Sequence, residues 1–182
     1  ILLGNNCYKD FVKISKMYFY LLQYVIVYNM LLNSKIVNKR SKLKPFNLFS
    51  VNGSLITEKD VMKPNGIVVA FICNHCPYVK DIIDRIVEDF SELEKLNVGT
   101  IAIMSNDVEN YPEDSFENMK KFSDRYNFSF PYLIDETQEI AKKYDAVCTP
   151  DFFGYNKNLE LNYRGRIREL NDLKPVGSGE SE

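Results

Sequence analysis

The sequence predicts an α/β domain with a central mixed β-sheet, and three patterns lead to this prediction. Two apolar runs, residues 67–72 and 98–104, are typical of strands that are covered on both faces. Between them, residues 79–96 repeat apolar side chains at spacings of three and four, as an amphipathic helix does. Strand, helix and strand of these lengths form a crossover that leaves the two strands parallel. Ahead of them, Asn52-Gly53 predicts an N-terminal β-hairpin over residues 44–57.

The second half of the chain continues the same alternation. A proline at an early helical position predicts a helix over residues 112–126. A short strand is expected at 131–134, and a short helix at 137–144 with Asp135 or Thr137 as its cap. Apolar segments on either side of residues 156–158 predict a closing hairpin.

Length and composition limit the classes of function. The 182 residues allow one domain of ordinary size and leave little room for a second. With 23 basic and 25 acidic residues the net charge is −2, so the chain has no bulk attraction for nucleic acid. Its cysteines are too few and too unevenly spaced for a disulfide framework, which favours a reducing compartment, the cytoplasm. They are Cys7, Cys73, Cys76 and Cys148.

The N-terminal 29 residues differ from the rest. The apolar and aromatic run at 17–32 is shorter than the roughly 20 residues that a membrane span needs, and no A-x-A cleavage site follows it. Were it an anchor, the heavier positive flank on its C-terminal side would keep the domain cytoplasmic. We interpret residues 1–29 as a non-native segment or a weak anchor, with a natural start near Met30, and we predict that residues 30–182 form the domain.

The stretch FICNHCPYVK holds the chemistry-bearing residues. Cys73 and Cys76 are two residues apart, and His75, the chain's single histidine, lies between them. Cys73 is predicted to lie where a buried strand ends and a helix begins, so the helix dipole, free N–H groups and the imidazole would stabilise its thiolate. Cys73 is then the nucleophile, and Cys76 the resolving thiol.

Other uses of the two cysteines are weaker. Zinc needs further ligands, and only Cys7 and Cys148 remain, neither of them in a second C-x-x-C. A structural disulfide across so short a loop would remove little chain entropy. Two buried packing cysteines remain an alternative, but a strand-to-helix elbow favours redox use. No metal is assigned.

Thr149-Pro150 directly precedes a predicted strand, where a proline is awkward unless its bond is cis or the strand is an edge. A cis proline beside a dithiol would leave the preceding backbone open to an extended substrate. An ordinary turn proline is the alternative.

Several long motifs carry a family resemblance: FICNHCPYVK, SNDVENYPEDSFENM, FPYLIDETQEIAKKYDAVCTPDFF and YRGRI. Together they resemble the peroxiredoxin-like branch of the thioredoxin superfamily, the alkyl-hydroperoxide-reductase and thiol-specific-antioxidant-like proteins, from about Met30 to the C-terminus. The resemblance implies a thioredoxin fold with helices on both sides of the sheet, a cis bond before Pro150, and Cys73 as the attacking cysteine. Relatives continue with a further helix and a cysteine-containing tail, so the chain is predicted to be truncated at its C-terminus.

The sequence also departs from the family. True peroxiredoxins have a P-x-x-x-T-x-x-C run, whereas IVVAFI precedes Cys73. Thioredoxins proper usually have Gly-Pro where this chain has Asn74-His75, and His in that place resembles disulfide isomerases and periplasmic disulfide oxidases. Of two interpretations for Cys148, a functional thiol or a small buried residue, we favour the second. Arg164 and Arg166 are interpreted as solvated charges.

Asn106 and Asp107 follow the C-terminal end of a predicted strand, where sites in open α/β sheets collect, but they are not predicted to be catalytic.

The leading hypothesis is a thiol-disulfide oxidoreductase without a cofactor. Cys73 and Cys76 carry the reaction, supported by Asn74, His75, Thr149 and Pro150. Its partners are a disulfide or peroxide substrate and a thiol reductant; a membrane partner is not expected. The first alternative is a thiol peroxidase that oxidises Cys73 to a sulfenic acid. The second is a redox sensor, or a protein that binds a metal such as copper through Cys73, Cys76 and His75.

Overall fold

The computed structural model of the chain describes residues 41–165 and the backbone of residues 170–171 and 174–175. The predicted segment 1–29 therefore lies outside the described residues. In chain order the elements are β1 (Asn47–Ser50), β2 (Leu55–Thr57), α1 (Glu58–Val61), β3 (Ile67–Phe71), α2 (Pro77–Lys95), β4 (Gly99–Met104), a 3₁₀ turn (Pro112–Asp114), α3 (Phe116–Arg125), β5 (Tyr132–Ile134), α4 (Glu139–Tyr144), β6 (Asp151–Tyr155), β7 (Leu161–Gly165), β8 (Leu170–Asn171) and β9 (Lys174–Pro175). Within this part of the chain, none of the helices has the length and apolar character that crossing a membrane requires.

Seven of the strands form one mixed sheet, in the order β2-β1-β5-β4-β3-β6-β7. The strands β3, β4 and β5 run parallel, because α2 connects β3 to β4 as the sequence predicts. The N-terminal hairpin β1–β2 and the closing hairpin β6–β7 are antiparallel, as predicted. The hairpin β8–β9 is separate from this sheet. The predicted α/β architecture is confirmed.

Both faces of the central strand β3 are buried. Its alternate residues Val68 and Ala70 pack on the side of α2 and α3, together with Phe90 of α2 and Met119 of α3. Ile67, Val69 and Phe71 pack on the other side, in a core that includes residues of α1 and α4. All five residues of β3 are therefore apolar, because side chains alternate between two covered faces.

The helix α2 begins two residues earlier than the periodicity predicts. Cys76 is its N-cap residue, and Pro77 occupies the first turn, where a proline loses no helical hydrogen bond. Its apolar stripe packs against the sheet; the members are Val79, Ile82, Ile83, Ile86, Phe90 and Leu93. The helix ends at Lys95, and Asn97 follows with φ 56°, a left-handed conformation common after helices.

The other two predicted helices are shorter than expected. The predicted helix 112–126 is divided, because Ser115 takes an extended ψ of 153° and its hydroxyl accepts from Asn118 N as the N-cap of α3. The predicted helix 137–144 begins at Glu139, after Gln138 in a left-handed conformation. The Asp135 carboxylate, one of the two predicted caps, accepts from the backbone N–H groups of Ile140 and Ala141.

Arg164 corrects an expectation of the sequence. Its side chain is only 6% exposed and pairs with the 2%-exposed carboxylate of Asp151 at 3.0 Å. It also donates to the carbonyl oxygen of Asp145 at 2.6 Å and lies over the Phe153 ring. The interpretation of Arg164 as a solvated charge is wrong, because an acid at the start of β6 and an aromatic ring provide a buried place for the guanidinium. Arg166 lies outside the described residues.

We expect Gly66→Ala to lower the free energy of unfolding by at least about 2 kcal/mol. Gly66 has φ +124°, and a Cβ there would lie 2.1 Å from the backbone oxygen of Tyr155. The control is Gly53→Ala, at φ +85° with no atom within 4 Å of the added carbon, where the left-handed backbone alone costs about 1 kcal/mol. Equal losses in urea denaturation would contradict the role of the close approach.

Candidate redox site

The two cysteines lie in the turn between β3 and α2. β3 ends at Phe71, and Cys73 follows it with 1% of its surface exposed. Cys76 is 8% exposed and caps α2. The N-cap position therefore belongs to Cys76 and not to Cys73, so the helix terminus acts most directly on the second sulfur.

The segment before β6 contacts both sulfurs. The Thr149-Pro150 bond is cis, as the resemblance implies. The Thr149 hydroxyl oxygen lies 3.2 Å from Cys73 Sγ, and the Cys76 thiol donates to the Thr149 carbonyl oxygen at 3.4 Å. The structure thus brings Cys73, Cys76, Thr149 and Pro150 together, four of the six residues that the sequence indicates.

The two thiols titrate as a pair because they are hydrogen-bonded to each other. That bond from Cys73 lowers the pKa of Cys76 to about 5, and N–H groups of Val79 and Tyr78 act in the same direction against burial. The bond also raises the pKa of Cys73, and burial and the charge of Asp114 add to that rise. The expectation that Cys73 is the more easily ionised thiol is therefore not met in the reduced pair.

When one of the two thiols is ionised, a single proton remains, and it can lie on either sulfur. Thr149 can form a hydrogen bond in both cases. When Cys76 holds the proton, its S–H donates to the Thr149 carbonyl oxygen, and the Thr149 hydroxyl can donate to a Cys73 thiolate. When Cys73 holds the proton, its S–H can donate to the hydroxyl oxygen instead. The pair therefore carries one negative charge that either sulfur can hold.

Asp114 is a site residue that the sequence analysis missed. Its side chain is fully buried, and Oδ1 accepts from the backbone N–H groups of Asn74 at 2.7 Å and His75 at 3.2 Å. Oδ2 lies 2.6 Å from His75 Nδ1 and accepts from Asn106 Nδ2 at 2.9 Å. Asp114 lies in a polar loop with Asp107, and nothing in the sequence distinguishes the two carboxylates except the nearby Ser115 cap.

Asn74 is held inside the protein. Its side-chain amide donates to the Glu113 carbonyl oxygen at 2.9 Å, and its amide oxygen accepts from the Tyr132 hydroxyl at 3.0 Å. Burial raises the pKa of Tyr132, so the hydroxyl remains a donor at neutral pH. Asn74 therefore connects the cysteine turn to the 3₁₀ turn and to β5.

His75 is held from two directions. The imidazole contacts the Asp114 carboxylate, and one ring face stacks on Tyr111 with centroids 4.5 Å apart and planes 6° from parallel. About 29% of its side chain is exposed, so solvent reaches one side of the ring. These contacts fix the ring beside the cysteine turn.

Cys73, His75 and Asp114 come close enough to suggest a metal site. One ligand atom of each lies within 4.8 Å of the others. The Asp114 carboxylate, however, has about four lone-pair sites, and three N–H groups and a His75 ring nitrogen already contact it. The cluster is satisfied by internal hydrogen bonds, so we assign no metal ligand to Asp114.

Cys148 is exposed, which contradicts its interpretation as a small buried residue. Its neighbour Thr149 contacts the dithiol, and the chain there turns the Cys148 side chain outward. Asp107 accepts from the backbone N–H groups of Glu109 and Asn110, so it stabilises its own loop. Asn106 is connected to the candidate site through the hydrogen bond that its side-chain amide donates to Asp114.

Comparisons with known proteins agree with this fold. The AhpC/TSA family matches residues 40–170 of the chain. Among curated proteins, none matches the chain. The chain is similar to a solved structure of an uncharacterized conserved protein from Geobacillus kaustophilus, with 40% identity, coverage of 84% of this chain and 80% of that chain, and a TM-score of 0.73.

Two further solved structures extend the comparison. A hypothetical protein, SMc02350, from Sinorhizobium meliloti 1021 is 32% identical over 80% of this chain and 78% of that chain, with a TM-score of 0.74. A secreted disulfide oxidoreductase from Mycobacterium tuberculosis, homologous to E. coli DsbE, is 19% identical over 64% of this chain and 80% of that chain, with a TM-score of 0.53. That likeness shows the fold alone, and the thioredoxin fold implied by the sequence is confirmed.

We expect one thiolate of the reduced pair to form with a midpoint near pH 5, because the pKa of Cys76 is lowered to about 5. Lowering the pKa favours the charged form, so the thiolate persists above that pH and is lost below it. The second thiol stays protonated through pH 9, because the pKa of Cys73 is raised. Absorbance at 240 nm measures both steps in a Cys7→Ser/Cys148→Ser background.

The matched control is Cys76→Ser in the same background, which removes the step near pH 5. Two thiols that ionise together near pH 8.5, the ordinary value of a free cysteine, would contradict the coupling of the pair.

Proposed function

Since the chain belongs to the AhpC/TSA family, with thiol redox chemistry as its general function, we propose that it is a thiol-disulfide oxidoreductase that uses the Cys73–Cys76 dithiol. One observation carries this proposal: both sulfurs contact Thr149, Cys73 at its hydroxyl oxygen and Cys76 at its carbonyl oxygen. Two thiols that contact the same residue lie close together, as disulfide formation between them requires. The contacts with Thr149 hold both of them in the turn between β3 and α2, beside the start of β6.

The proposed reaction has two steps. The Cys73 thiolate attacks one sulfur of a substrate disulfide, whose S–S bond breaks and whose other sulfur leaves as a thiolate. Cys76 then gives up its proton and attacks Cys73, so that the mixed disulfide breaks and the second substrate thiolate leaves. The substrate gains two electrons and takes up two protons, and the Cys73–Cys76 disulfide forms. A thiol reductant restores the dithiol.

The groups around Cys73 that can stabilise its thiolate support its role as the attacking sulfur. The Thr149 hydroxyl and the Cys76 backbone N–H both stabilise a Cys73 thiolate. A His75 ring nitrogen is also among the atoms within 4.8 Å of Cys73 Sγ. Transfer of the shared proton to Cys76 produces that thiolate without any exchange with solvent. Asn74 holds the turn in place, and Pro150 shapes the surface where a substrate chain would lie.

A thiol peroxidase is the second candidate, because the AhpC/TSA family also suggests peroxidase-type activity. In that reaction Cys73 would be oxidised to a sulfenic acid, and Cys76 would close the disulfide with loss of water. The charged group beside Cys73 is the Asp114 carboxylate, which raises the pKa of the Cys73 thiol, after the larger effects of the Cys76 bond and burial. That effect applies to both reactions; exchange with a disulfide is favoured because IVVAFI precedes Cys73, where true peroxiredoxins have their P-x-x-x-T-x-x-C run.

The proposed partners are a protein or small-molecule disulfide and a thiol reductant. The cysteine usage of the chain favours a reducing compartment, and we infer the cytoplasm as its place of action. In such a compartment the dithiol is regenerated by the surrounding thiol pool, and substrate disulfides are transient.

We expect Cys73→Ser to abolish insulin reduction in the presence of dithiothreitol, and Cys76→Ser to accumulate a mixed disulfide at Cys73. The reason is that a Cys73 intermediate cannot be resolved without Cys76. Mass spectrometry of the trapped complex identifies the bonded cysteine. Cys148→Ser is the control and should leave the rate unchanged. A mixed disulfide that accumulates in Cys73→Ser and not in Cys76→Ser would reverse the two roles.

We expect slow consumption of hydrogen peroxide by the reduced protein, at least about 100-fold slower than disulfide exchange at equal substrate, because IVVAFI precedes Cys73 in place of the P-x-x-x-T-x-x-C run of true peroxiredoxins. Stopped-flow measurement of dithiol loss with each substrate gives the ratio. A faster reaction with peroxide, abolished by Cys73→Ser, would favour the peroxidase instead.

A further inference from the structure

We propose that Asp114 is the positioning residue of the dithiol: it fixes the ring and tautomer of His75, so that the protonated imidazole supports a thiolate on Cys73. This inference deepens the proposed function and rests on it. The oxygens of Asp114 form hydrogen bonds with Asn74, His75 and Asn106, and its direct effect on Cys73 is that of its charge, which is unfavourable to a thiolate.

The first step of the argument concerns the tautomer. Three N–H donors, from Asn74, His75 and Asn106, approach the Asp114 carboxylate, which fits its ionised form, an acceptor only. Since a carboxylate cannot donate, His75 Nδ1 at 2.6 Å from Oδ2 must carry the hydrogen. Nε2 is then the nitrogen that gains or loses a proton.

The second step concerns orientation. Oδ1 of Asp114 also accepts from the backbone N–H of His75, so one carboxylate holds both the backbone and the ring of the same residue. Tyr111 closes one face of the ring by stacking. The ring can therefore not turn away from the cysteine turn without breaking contacts on two sides.

The third step concerns charge. With neutral His75, the buried Asp114 charge disfavours a thiolate on Cys73, and the shared charge rests on Cys76 at the helix terminus. When Nε2 takes up a proton from solvent, the imidazolium offsets that carboxylate, because a His75 ring nitrogen lies within 4.8 Å of Cys73 Sγ and the ring is partly exposed. Cys76 keeps the proton of the pair until the second step, so the balance of the exchange is unchanged.

The first experiment uses the wild-type protein. His75 is the chain's single histidine, so its ¹⁵N imidazole signals are unambiguous. We expect the neutral ring to be the Nδ1–H tautomer in the reduced protein. An Nε2–H tautomer would overturn the proposal. Because the measurement uses the wild-type protein, it does not depend on whether any variant folds.

The second experiment compares Asp114→Asn, His75→Ala and the double variant. We expect each single change to lower the disulfide-exchange rate and the ratio of Cys73 to Cys76 alkylation about tenfold, the change that one pKa unit corresponds to. In the His75→Ala background, Asp114→Asn should cause no further loss, because it then removes only an unfavourable charge. An additive loss would mean that Asp114 is structural, and would overturn the proposal.

The matched control is Glu113→Gln, an exposed carboxylate in the same 3₁₀ turn, whose side chain the site does not use. Its rate and alkylation ratio should stay within about twofold of the wild type, as is usual for surface changes.

The tautomer and the alkylation ratio can both be measured without a disulfide substrate, so they test this inference separately from the proposed function. A wild type that does not reduce disulfides, but whose alkylation ratio depends on Asp114, would refute the proposed function alone. An active wild type whose ratio is unaffected by Asp114→Asn would refute this inference alone.

Discussion

The register between β3 and β6 is the constraint on which the site depends. Phe71, the last residue of β3, is paired with Asp151, the first residue of β6. Because the strands are antiparallel, the chain after Phe71 and the chain before Asp151 leave the sheet at the same edge, which places Cys73 beside Thr149. A shift of one residue would turn every β3 side chain to the opposite face, and the two apolar cores would lose their members. The packing of the sheet therefore holds the sulfurs against Thr149.

Two electrostatic effects oppose each other within this turn. The terminus of α2 stabilises negative charge at Cys76, whereas the buried carboxylate of Asp114 disfavours it at Cys73. Burying a carboxylate is costly unless hydrogen bonds satisfy it, and Asp114 receives N–H donors from three other residues. The same donors fix the conformation of the turn. Asp114 thus both fixes the conformation of the turn and brings an unfavourable negative charge near Cys73. His75 lies where its ring could offset that charge.

Local patterns predicted much of this arrangement. The crossover, both hairpins and the dithiol follow from spacings within short stretches of sequence, where periodicity and turn residues suffice. The divided helix after Pro112 was not predicted, because the choice between one helix and two depends on whether Ser115 caps and Asp114 turns inward. That choice is made by a contact with Asn74 and His75, forty residues away in the chain.

Charged residues were the least predictable for the same reason. Arg164 has the appearance of a surface residue until Asp151 and Phe153 are placed beside it by the β6–β7 pairing. Cys148 was expected to be buried because free cysteines usually are, but it is exposed next to a residue that contacts the sulfurs. The sequence predicts which residues carry the chemistry, and the long-range contacts decide which groups surround them.

The buried Arg164 has a mechanical consequence. It joins Asp145, at the end of α4, to Asp151 and to β7 at the edge of the sheet. The short loop between those two acids carries Thr149 and Pro150, so it is tethered at both ends by one side chain. A displacement of this loop would therefore also displace β7, the outer strand, through Arg164. The stiffness of the loop that carries Thr149 and Pro150 thus depends on β7, a strand that does not contain the cysteines.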